Sequence, residues 1–418
     1  MGRPAEVGVP STMVSIDDIG PGVLDGLRVL DFTRVVAGPS LTRILADLGA
    51  EVIKVEPPDG DLLRQGWPRR GDIAVLFAGQ NAGKRFTSID LGRPAGVELA
   101  LDLAERCDVV VENFRPGVAD RLGVGYDQVR ARRPDVVYCS VSGYGQDGRA
   151  AQRRAYAPVV HAEAGMLHFK AREWGSPPRP EPVSHADVAA GMAGAQGVLA
   201  ALWRRERTGE GAYIDTSMCE AMIAQNDWAV VEANGGPDYE RSPFRPGKAA
   251  VVQLGDEEGT WVAIPGSPAA AFVTFAKLAD RRELFADPRF ESMAARSRNL
   301  DACMVHLEQW AAGFTSFEAF ERTLSEGARL PVGRVTSIAD TLTADWAEDR
   351  GAYVTIPCGD GEAIVNRSAL RIAGTDCGPR SGVRPLGGDN AEVLRQVLGR
   401  TEADIESLRR DGILAEGP

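Results

Sequence analysis

Residues 24–58, LDGLRVLDFTRVVAGPSLTRILADLGAEVIKVEPP, contain the pattern that decides the fold of this chain. Two short apolar runs, 27–33 and 50–56, flank a segment, 39–49, whose apolar residues recur at helical spacing. Runs of this kind predict buried strands joined by a helix. The stretch therefore predicts a strand–helix–strand unit, which is the building block of a parallel sheet covered by helices.

The same alternation continues along the chain. Strand-like runs occupy 86–91, 108–114 and 135–145, and the helical segment 94–107 begins with a proline, which the first turn of a helix accepts. We therefore predict an α/β fold with a doubly wound parallel sheet. Ligands of such sheets bind beyond the carboxyl ends of the strands, so TRVVAGP, EPPDG, NFRPG and GYGQDG are the segments of interest. The G-x-G-x-x-G signature of dinucleotide sites does not follow the first strand.

Composition narrows the classes of function. The 418 residues are 44% hydrophobic with a net charge of −12, and the positive charges are scattered, which predicts no nucleic-acid partner. Six cysteines without a C-x-x-C pair favour a reducing cytoplasm, and the four histidines lack the spacing of a metal site. The uncharged run 188–203 falls short of the roughly 20 residues of a membrane span, so we predict a buried helix and no membrane partner. Residues 1–23 are interpreted as a loose N-terminal leader.

Asp187 is the most informative single residue, because it directly precedes those sixteen uncharged residues. One interpretation is a helix N-cap, which contributes about 1 kcal/mol. The other is a nucleophile or general base: a helix N-terminus stabilises the anion, and a carboxylate so held can attack an acyl carbon. Both interpretations can hold together.

Three other segments carry candidate groups. In ENFRPGVADR (112–121), Phe114 could stack on a base and Arg115 and Arg121 could bind phosphates, although a solvated loop is the alternative. Gln146, in SGYGQDG, suits either an oxyanion donor or a tight turn. His161 is either a buried histidine or a catalyst.

The order of these motifs, from residue 24 to about residue 415, resembles the family III CoA-transferases. This family, of the CaiB/BaiF type, includes formyl-CoA transferase, carnitine CoA-transferase and the α-methylacyl-CoA racemases. The resemblance implies a large Rossmann-like CoA-binding domain (24–230), a smaller α+β domain (231–350) and a C-terminal segment (351–418) that returns to the large domain. It also implies an interlocked, ring-like homodimer.

The activity that the resemblance implies is acyl-CoA:carboxylate CoA transfer through a covalent acyl-aspartate at Asp187. Coenzyme A is then a substrate and product, with no tightly bound cofactor. Gln146 falls where formyl-CoA transferase has a catalytic glutamate, and His161 falls where it has a glutamine. The implied CoA contacts are Val35, Val36, Ala37, Ile89, Arg93, Asn113, Phe114 and Arg121.

Departures from the family pattern bear on the substrate. Val36 replaces the glutamine of the oxalate-using members, and only Gly235-Gly236 and Pro246-Gly247 lie near the position of their four-glycine lid. Oxalate and formate are therefore not the expected substrates. The racemases have a histidine at the position of Tyr156, and neither His161 nor His185 matches it. A 2-methylacyl-CoA racemase and a non-catalytic CoA-binding protein are the alternative functions.

Overall fold

The computed structural model describes residues 20–236 and 249–417, and the backbone of residues 14–15. Two compact units make up the chain. The first has the limits Met1–Ala164, Glu181–Gln225 and Leu342–Pro418, and the second has the limits Gly165–Pro180 and Asn226–Thr341. Most of the predicted leader, and the Pro246-Gly247 pair, lie outside the described residues.

A six-stranded parallel sheet forms the centre of the first unit. Its strands are β1 (Arg28–Asp31), β2 (Glu51–Glu56), β3 (Arg85–Ser88), β4 (Val109–Glu112), β5 (Val137–Ser142) and β6 (Ala212–Ser217). They lie in the order β3-β2-β1-β4-β5-β6. This is the order of doubly wound dinucleotide-binding sheets, so the predicted parallel sheet is confirmed.

Burial on both faces explains the strand composition. Every residue of β4 and β5 is buried. Strands covered on both sides by helices read as continuous apolar runs rather than as alternating ones. Leu30, Ile53, Val110 and Tyr138 from four different strands belong to one buried cluster.

The crossover between β1 and β4 creates the crevice of this sheet. These strands are hydrogen-bonded neighbours, although β2 and β3 come between them in sequence. At such a switch point the connections leave toward opposite faces, and the strand ends stand open to a ligand. The loop segments 32–36 and 113–117 therefore frame the crevice.

Three helices of the first unit position the site: α1 (Ala37–Asp47), α2 (Ala157–Glu163) and α3 (His185–Thr208). The others are Val75–Asn81, Pro94–Glu105, Val118–Arg121, Tyr126–Arg132, Met218–Gln225, Asp345–Asp349, Asn390–Leu398 and Glu402–Arg410. The predicted helices over 39–49, 94–107 and 188–203 are thus confirmed. None of the helices in the described ranges has the length and apolar character needed to cross a membrane.

Close packing of α1 on α3 explains why α3 is rich in glycine and alanine. A Cβ atom placed on Gly191 would lie 2.9 Å from the carbonyl oxygen of Ala37. One placed on Gly194 would lie 2.4 Å from Cδ1 of Leu41. At these two positions only glycine allows α1 and α3 to approach this closely, and the small alanines beside them keep the rest of the contact narrow.

Smaller elements complete the first unit. Tyr353–Cys358 and Gly361–Asn366 pair antiparallel, and Val14–Ser15 adds a short parallel strand to the former. Arg69–Arg70 and Ile73–Ala74 form a hairpin. Leu62–Gln65 is a short 3₁₀ helix of this unit. Arg282–Ala286 is a 3₁₀ helix of the second unit, and the 3₁₀ helix Asp340–Thr343 begins in the second unit and ends in the first.

The second unit has its own antiparallel sheet and core. Its strands are Ala250–Gln253, Trp261–Ile264 and Gly333–Arg334. Its helices are Met166–Trp174, Ala229–Ala233, Pro268–Leu278, Met293–Arg298, Leu300–Ala311 and Phe317–Ala328. Phe272, Phe275, Phe290 and Phe320 are buried in one cluster.

Candidate active site

A cavity of about 380 Å³ opens at the switch point of the first unit. Its walls come from the segments after β1 and β4, from the segment after β5, and from the start of α3. The lining residues are Arg34, Val35, Ala37, Asn113, Phe114, Arg115, Pro116, Val141, Ser142, Gly143, Ala151, Arg153, Arg154, Ala155, Tyr156, Asp187 and Met218. The cavity thus lies where a doubly wound sheet binds its ligands.

Asp187 faces this cavity and is only 9% exposed. It is the third residue of α3, and Ser184 occupies the N-cap position. The N-cap interpretation of Asp187 is therefore wrong, because the helix begins before it. Its carboxylate still lies in the first helical turn, where the helix dipole favours a negative charge.

Backbone amides and burial set the charge state of Asp187. The N–H of Ala37, at the start of α1, donates a hydrogen bond to the carboxylate, and the N–H of Asp187 itself also contributes. Burial outweighs both bonds and raises the pKa of Asp187 to about 6. At neutral pH the group is an anion with few water partners, which is the state that a carboxylate nucleophile needs.

His161 supports the start of the helix that carries Asp187. This residue of α2 is 1% exposed, and its Nε2 accepts a hydrogen bond from the N–H of Ala186 at 3.1 Å. A ring nitrogen that accepts carries no proton, so the imidazole is neutral with its proton on Nδ1. His161, predicted as catalytic, lies behind Asp187 and is not among the residues that line the cavity.

The loop between β1 and α1 is held in a strained conformation. Val35 has a φ of +66°, a region that β-branched residues rarely adopt. Its N–H donates to both carboxylate oxygens of Asp61 at 3.2 Å. Asp61 in turn pairs with Nζ of Lys54 at 3.1 Å, and both side chains are fully buried. This buried pair holds the loop that directs the Ala37 amide at Asp187.

Asn113 ties the two loops of the crevice together. Its side-chain oxygen accepts from the N–H of Arg34, and its side-chain amide donates to the carbonyl of Arg34, both at 2.8 Å. The guanidinium of Arg34 lies 5.8 Å from the centre of the Phe114 ring. The N–H of Phe114 donates to the Glu112 carboxylate at 2.7 Å.

The predicted CoA contacts divide into two groups. Val35, Ala37, Asn113 and Phe114 line the cavity with Asp187, and Val36 lies between two of them. The other three predicted contacts, Ile89, Arg93 and Arg121, do not line it.

Those three residues lie at other points of the same unit. Ile89, just after β3, is 1% exposed and packs in the core. Arg93 precedes the helix Pro94–Glu105, and its side chain pairs with Asp90 at 3.3 Å. Arg121 is exposed at the end of the short helix after β4.

Gln146 lines a different and smaller cavity, of about 190 Å³. Its N–H donates to Asp215 at 2.9 Å. Glu112 and Ser140 lie in the same cavity, and burial raises the pKa of Glu112 to about 7. The structure therefore does not place Gln146 in the cavity of Asp187.

Sequence reasoning missed several cavity residues, above all Arg34, Arg153 and Arg154. The segment 149–156 has weak periodicity, and its arginines carried no motif that could have placed them beside Asp187. Arg153 pairs with Glu163 and lies 4.8 Å from the centre of the Tyr144 ring. Across the residues that the structure covers, no cluster of three His, Cys, Asp or Glu side chains could hold a metal ion.

Comparison with known proteins places these features in context. The sequence model described as CoA-transferase family III matches residues 24–390. A succinyl-CoA:glutarate CoA-transferase of Mus musculus is 30% identical and is matched over 94% of this chain and 90% of its own length. The alpha subunit of a succinyl-CoA–L-malate CoA-transferase of Chloroflexus aurantiacus is 31% identical, over 94% and 92%. A solved CaiB/BaiF family protein from Brucella suis is 27% identical with a TM-score of 0.78, covering 90% of this chain and 100% of that one.

Proposed function

The chain belongs to CoA-transferase family III and transfers CoA between organic acids, and we propose that it does so through a covalent acyl intermediate on Asp187. The observation that carries this proposal is the Asp187 carboxylate itself. It is a nearly buried anion that faces a cavity at the switch point of the sheet. It accepts a hydrogen bond from the backbone N–H of Ala37. A poorly solvated carboxylate can attack an acyl carbon, and a site that excludes water protects the product.

The proposed reaction has four steps, and each of them forms or breaks a bond at the carboxyl group of Asp187. An oxygen of Asp187 attacks the thioester carbon of the donor, the C–S bond breaks, and a mixed anhydride and the CoA thiolate result. The thiolate attacks the aspartyl carbon of that anhydride, which releases the donor acid and leaves an aspartyl-CoA thioester. The acceptor carboxylate attacks this thioester and expels the thiolate. Attack of the thiolate on the acceptor's acyl carbon gives the new acyl-CoA and restores Asp187.

The amides around Asp187 support these steps. The Ala37 N–H already donates to the carboxylate in the resting protein. The same donor would stabilise negative charge that develops on the aspartyl oxygen when the thiolate or the acceptor attacks. Because a loop fixed by a buried ion pair supplies this donor, little reorganisation is needed during the reaction.

We propose that CoA lies along the carboxyl edge of the sheet. Asn113 and Phe114 at the cavity would contact the pantetheine arm near the thioester. Arg93, after β3, and Arg121, after β4, stand outside the cavity, where they could bind phosphate groups. Strands β3 and β4 are three spacings apart in the sheet, or about 14 Å, a span that suits an extended ligand.

The test is direct detection of the intermediate. The full chain is incubated with a panel of acyl-CoAs, including succinyl-CoA, and trapped with hydroxylamine, and the peptide containing Asp187 is examined by mass spectrometry. A hydroxamate at Asp187 is expected, and it should be absent in Asp187→Asn. Asp215→Asn is the matched control, because burial also raises the pKa of Asp215 although it does not line the cavity. An unmodified Asp187 with every acyl-CoA that binds would refute the covalent route.

Two further measurements separate the alternative functions. A racemase would exchange the α-proton of a 2-methylacyl-CoA with solvent deuterium when no acceptor acid is present. The position of the racemase histidine holds Tyr156, and His161 uses Nε2 to accept from Ala186, so neither supports a second base at the cavity. A non-catalytic CoA-binding protein would show no turnover that depends on Asp187.

The homodimer and the cytoplasmic location that the sequence predicts also remain proposals. Light scattering of the purified chain across a dilution series tests the first, and fractionation of the cells that produce it tests the second. A mass of one chain at all concentrations would exclude the dimer.

A further inference from the structure

Glu112 is a buried carboxylate that the proposed reaction does not use. It ends β4, is 3% exposed, and lines the cavity of about 190 Å³ rather than the cavity of Asp187. In the described part of the chain, no lysine or arginine forms an ion pair with it. A buried carboxylate without a cation is costly, so the groups that it holds in place indicate its role.

Three neighbouring strands supply the hydrogen bonds around Glu112. The N–H of Phe114, two residues after it, donates to the carboxylate at 2.7 Å. The hydroxyl of Ser140, its register partner on β5, also donates to the carboxylate. The hydroxyl of Tyr213, on β6, donates in turn to Oγ of Ser140 at 3.1 Å. These bonds favour the anion, because a carboxylate accepts more strongly than a neutral carboxylic acid does.

The bond to Phe114 connects Glu112 to the cavity of Asp187. Asn113 and Phe114 both line that cavity, and Asn113 exchanges two hydrogen bonds with the backbone of Arg34. The turn of residues 113 and 114 is thus held on one side by Arg34 and on the other by Glu112. Its conformation depends on the strength of both contacts.

We propose that Glu112 is a positioning residue for CoA: its anion fixes the turn of Asn113 and Phe114 in the conformation that binds CoA, and its protonation loosens that turn. The inference rests on the CoA contacts proposed above for these two residues and does not depend on the covalent route through Asp187. It gives the smaller cavity a role in affinity rather than in the chemical step.

The charges that face Glu112 determine where it titrates. Burial raises the pKa of Glu112 to about 7, and the negative charges of Asp120, in the short helix after β4, and Asp215, on β6, act in the same direction. The other titratable groups around it are Arg115, Tyr126, Asp127, Tyr138, Cys139 and Tyr213. Of these described groups Arg115 is the one cation. Glu112 therefore changes its charge near neutral pH, and the affinity for CoA should change with it.

The test is the dissociation constant of CoA, measured by isothermal titration calorimetry on the full chain from pH 5.5 to pH 8.5. A hydrogen bond to a charged acceptor exceeds one to a neutral acceptor by roughly 5- to 10-fold in affinity. The dissociation constant should therefore rise about 5- to 10-fold as the pH falls from 8 to 6, with a midpoint near 7.

Glu112→Gln keeps an acceptor oxygen without the charge. At pH 8 its dissociation constant should match that of the unsubstituted protein at pH 6, and the step near pH 7 should be absent. The phosphates of CoA titrate in the same way with both proteins, so the difference between the two profiles reports on Glu112 alone.

Three further variants move the midpoint in opposite directions. Asp120→Asn and Asp215→Asn each remove a negative charge that repels the Glu112 anion, so the midpoint should fall. Ser140→Ala removes a donor to the anion, so the midpoint should rise. Glu98→Gln is the control, because Glu98 is exposed and lines neither cavity, and the midpoint should stay near 7. These variants also decide the matter if Glu112→Gln does not fold.

Two results would overturn the inference. One is a step near pH 7 that persists in Glu112→Gln or keeps its midpoint in all three neighbouring variants. The other is a loss of affinity in Glu112→Gln that is equal at every pH, which would leave Glu112 with a role in the fold alone.

Hydroxylamine trapping at saturating succinyl-CoA separates this proposal from the covalent route. If CoA binds with the expected pH dependence and Asp187 remains unlabelled, only the covalent route is refuted. If Asp187 is labelled and the dissociation constant does not respond to Glu112, only the positioning role is refuted.

Discussion

His161 caps the helix of Asp187 from outside: its Nε2 accepts the N–H of Ala186 at 3.1 Å. The residue at the N-cap position, Ser184, makes no capping bond with its side chain. A buried imidazole on another helix thus supplies the acceptor that a serine or aspartate usually provides. The position of Asp187 therefore depends on how α2 and α3 pack.

The first prediction removes that acceptor. In His161→Phe the buried N–H of Ala186 has no partner, so the free energy of unfolding should fall by about 1–3 kcal/mol. Labelling of Asp187 by acyl-CoA should also become slower, because the first turn of α3 is less well fixed. His161→Gln keeps an acceptor oxygen and should recover part of both effects. Urea unfolding and timed hydroxylamine trapping measure them.

The control for this prediction is His168→Phe. His168 is exposed and does not line the cavity, so neither stability nor labelling should change appreciably. Labelling of His161→Phe at the rate of the unmodified protein would show that the capping bond does not position Asp187.

The second prediction concerns the ionisation of Asp187. Its pKa of about 6 is higher in the folded protein than the ordinary value of 3.8, because burial disfavours the anion. Only the anion attacks a thioester, so the rate of labelling should fall about tenfold for each pH unit below 6. Labelling measured from pH 5 to pH 8 should therefore give a plateau above an apparent pKa near 6.

The raised pKa of Asp187 also determines how the stability of the protein depends on pH. A carboxyl group whose pKa is raised on folding binds its proton more tightly in the folded state, so it destabilises the fold once it is ionised. A pKa raised from 3.8 to about 6 corresponds to about 3 kcal/mol. Above pH 6, the free energy of unfolding of Asp187→Asn should therefore exceed that of the unsubstituted protein by up to about 3 kcal/mol. The difference should shrink between pH 6 and pH 4. A gain that is independent of pH would contradict this origin.

Local sequence patterns were sufficient to predict the parallel sheet and most of the helices. Apolar runs and helical spacing are local properties, so β1, β2 and α1 could be predicted from residues 24–58 alone. The uncharged residues that follow Asp187 similarly indicated a tightly packed helix, and the structure shows that the close neighbour is the backbone of α1.

The environment of Asp187 could not be predicted in the same way. The Ala37 amide, the His161 acceptor and the Asp61 carboxylate reach the site from segments far apart in the chain. No spacing in the sequence indicates which of these groups meet.

The third prediction tests the contact between α1 and α3. Gly191→Ala would place a Cβ atom 2.8 Å from Cβ of Ser40 and 2.9 Å from the carbonyl oxygen of Ala37. Since α1 must shift to accept it, we expect a loss of about 1–3 kcal/mol in the free energy of unfolding. The shift also moves the Ala37 amide, so labelling of Asp187 should slow by about 10- to 100-fold.

Gly79→Ala is the matched control for this prediction. Gly79 is also helical, but nothing lies within 4 Å of the position of its Cβ. The substitution should stabilise the protein by up to about 1 kcal/mol and leave labelling unchanged. Equal labelling rates for Gly191→Ala and Gly79→Ala would show that the approach of α1 to α3 is not needed for reactivity.

The strained backbone of Val35 lies beside the site of Asp187, whereas the other strained residues lie at the ends of helices. Three described residues other than glycine have a left-handed backbone: Val35, Asp280 and Arg329. Asp280 and Arg329 follow helices of the second unit, where such a conformation often ends a helix. Val35 instead occupies the loop that carries the amide bound by Asp187.

The fourth prediction concerns the replacement of each of these three residues by glycine. The substitution relieves about 1–2 kcal/mol of backbone strain. It also gives the unfolded chain more conformational freedom, which lowers stability by about 0.5–1 kcal/mol. The free energy of unfolding of each variant should therefore rise by roughly 0.5–1 kcal/mol. Only Val35→Gly should slow the labelling of Asp187, because a freer loop no longer fixes the Ala37 amide. Urea unfolding and hydroxylamine trapping of the three variants decide the matter. If Val35→Gly labels as fast as Asp280→Gly, the ion pair of Lys54 and Asp61 suffices to hold the loop, and the strained valine contributes nothing to catalysis.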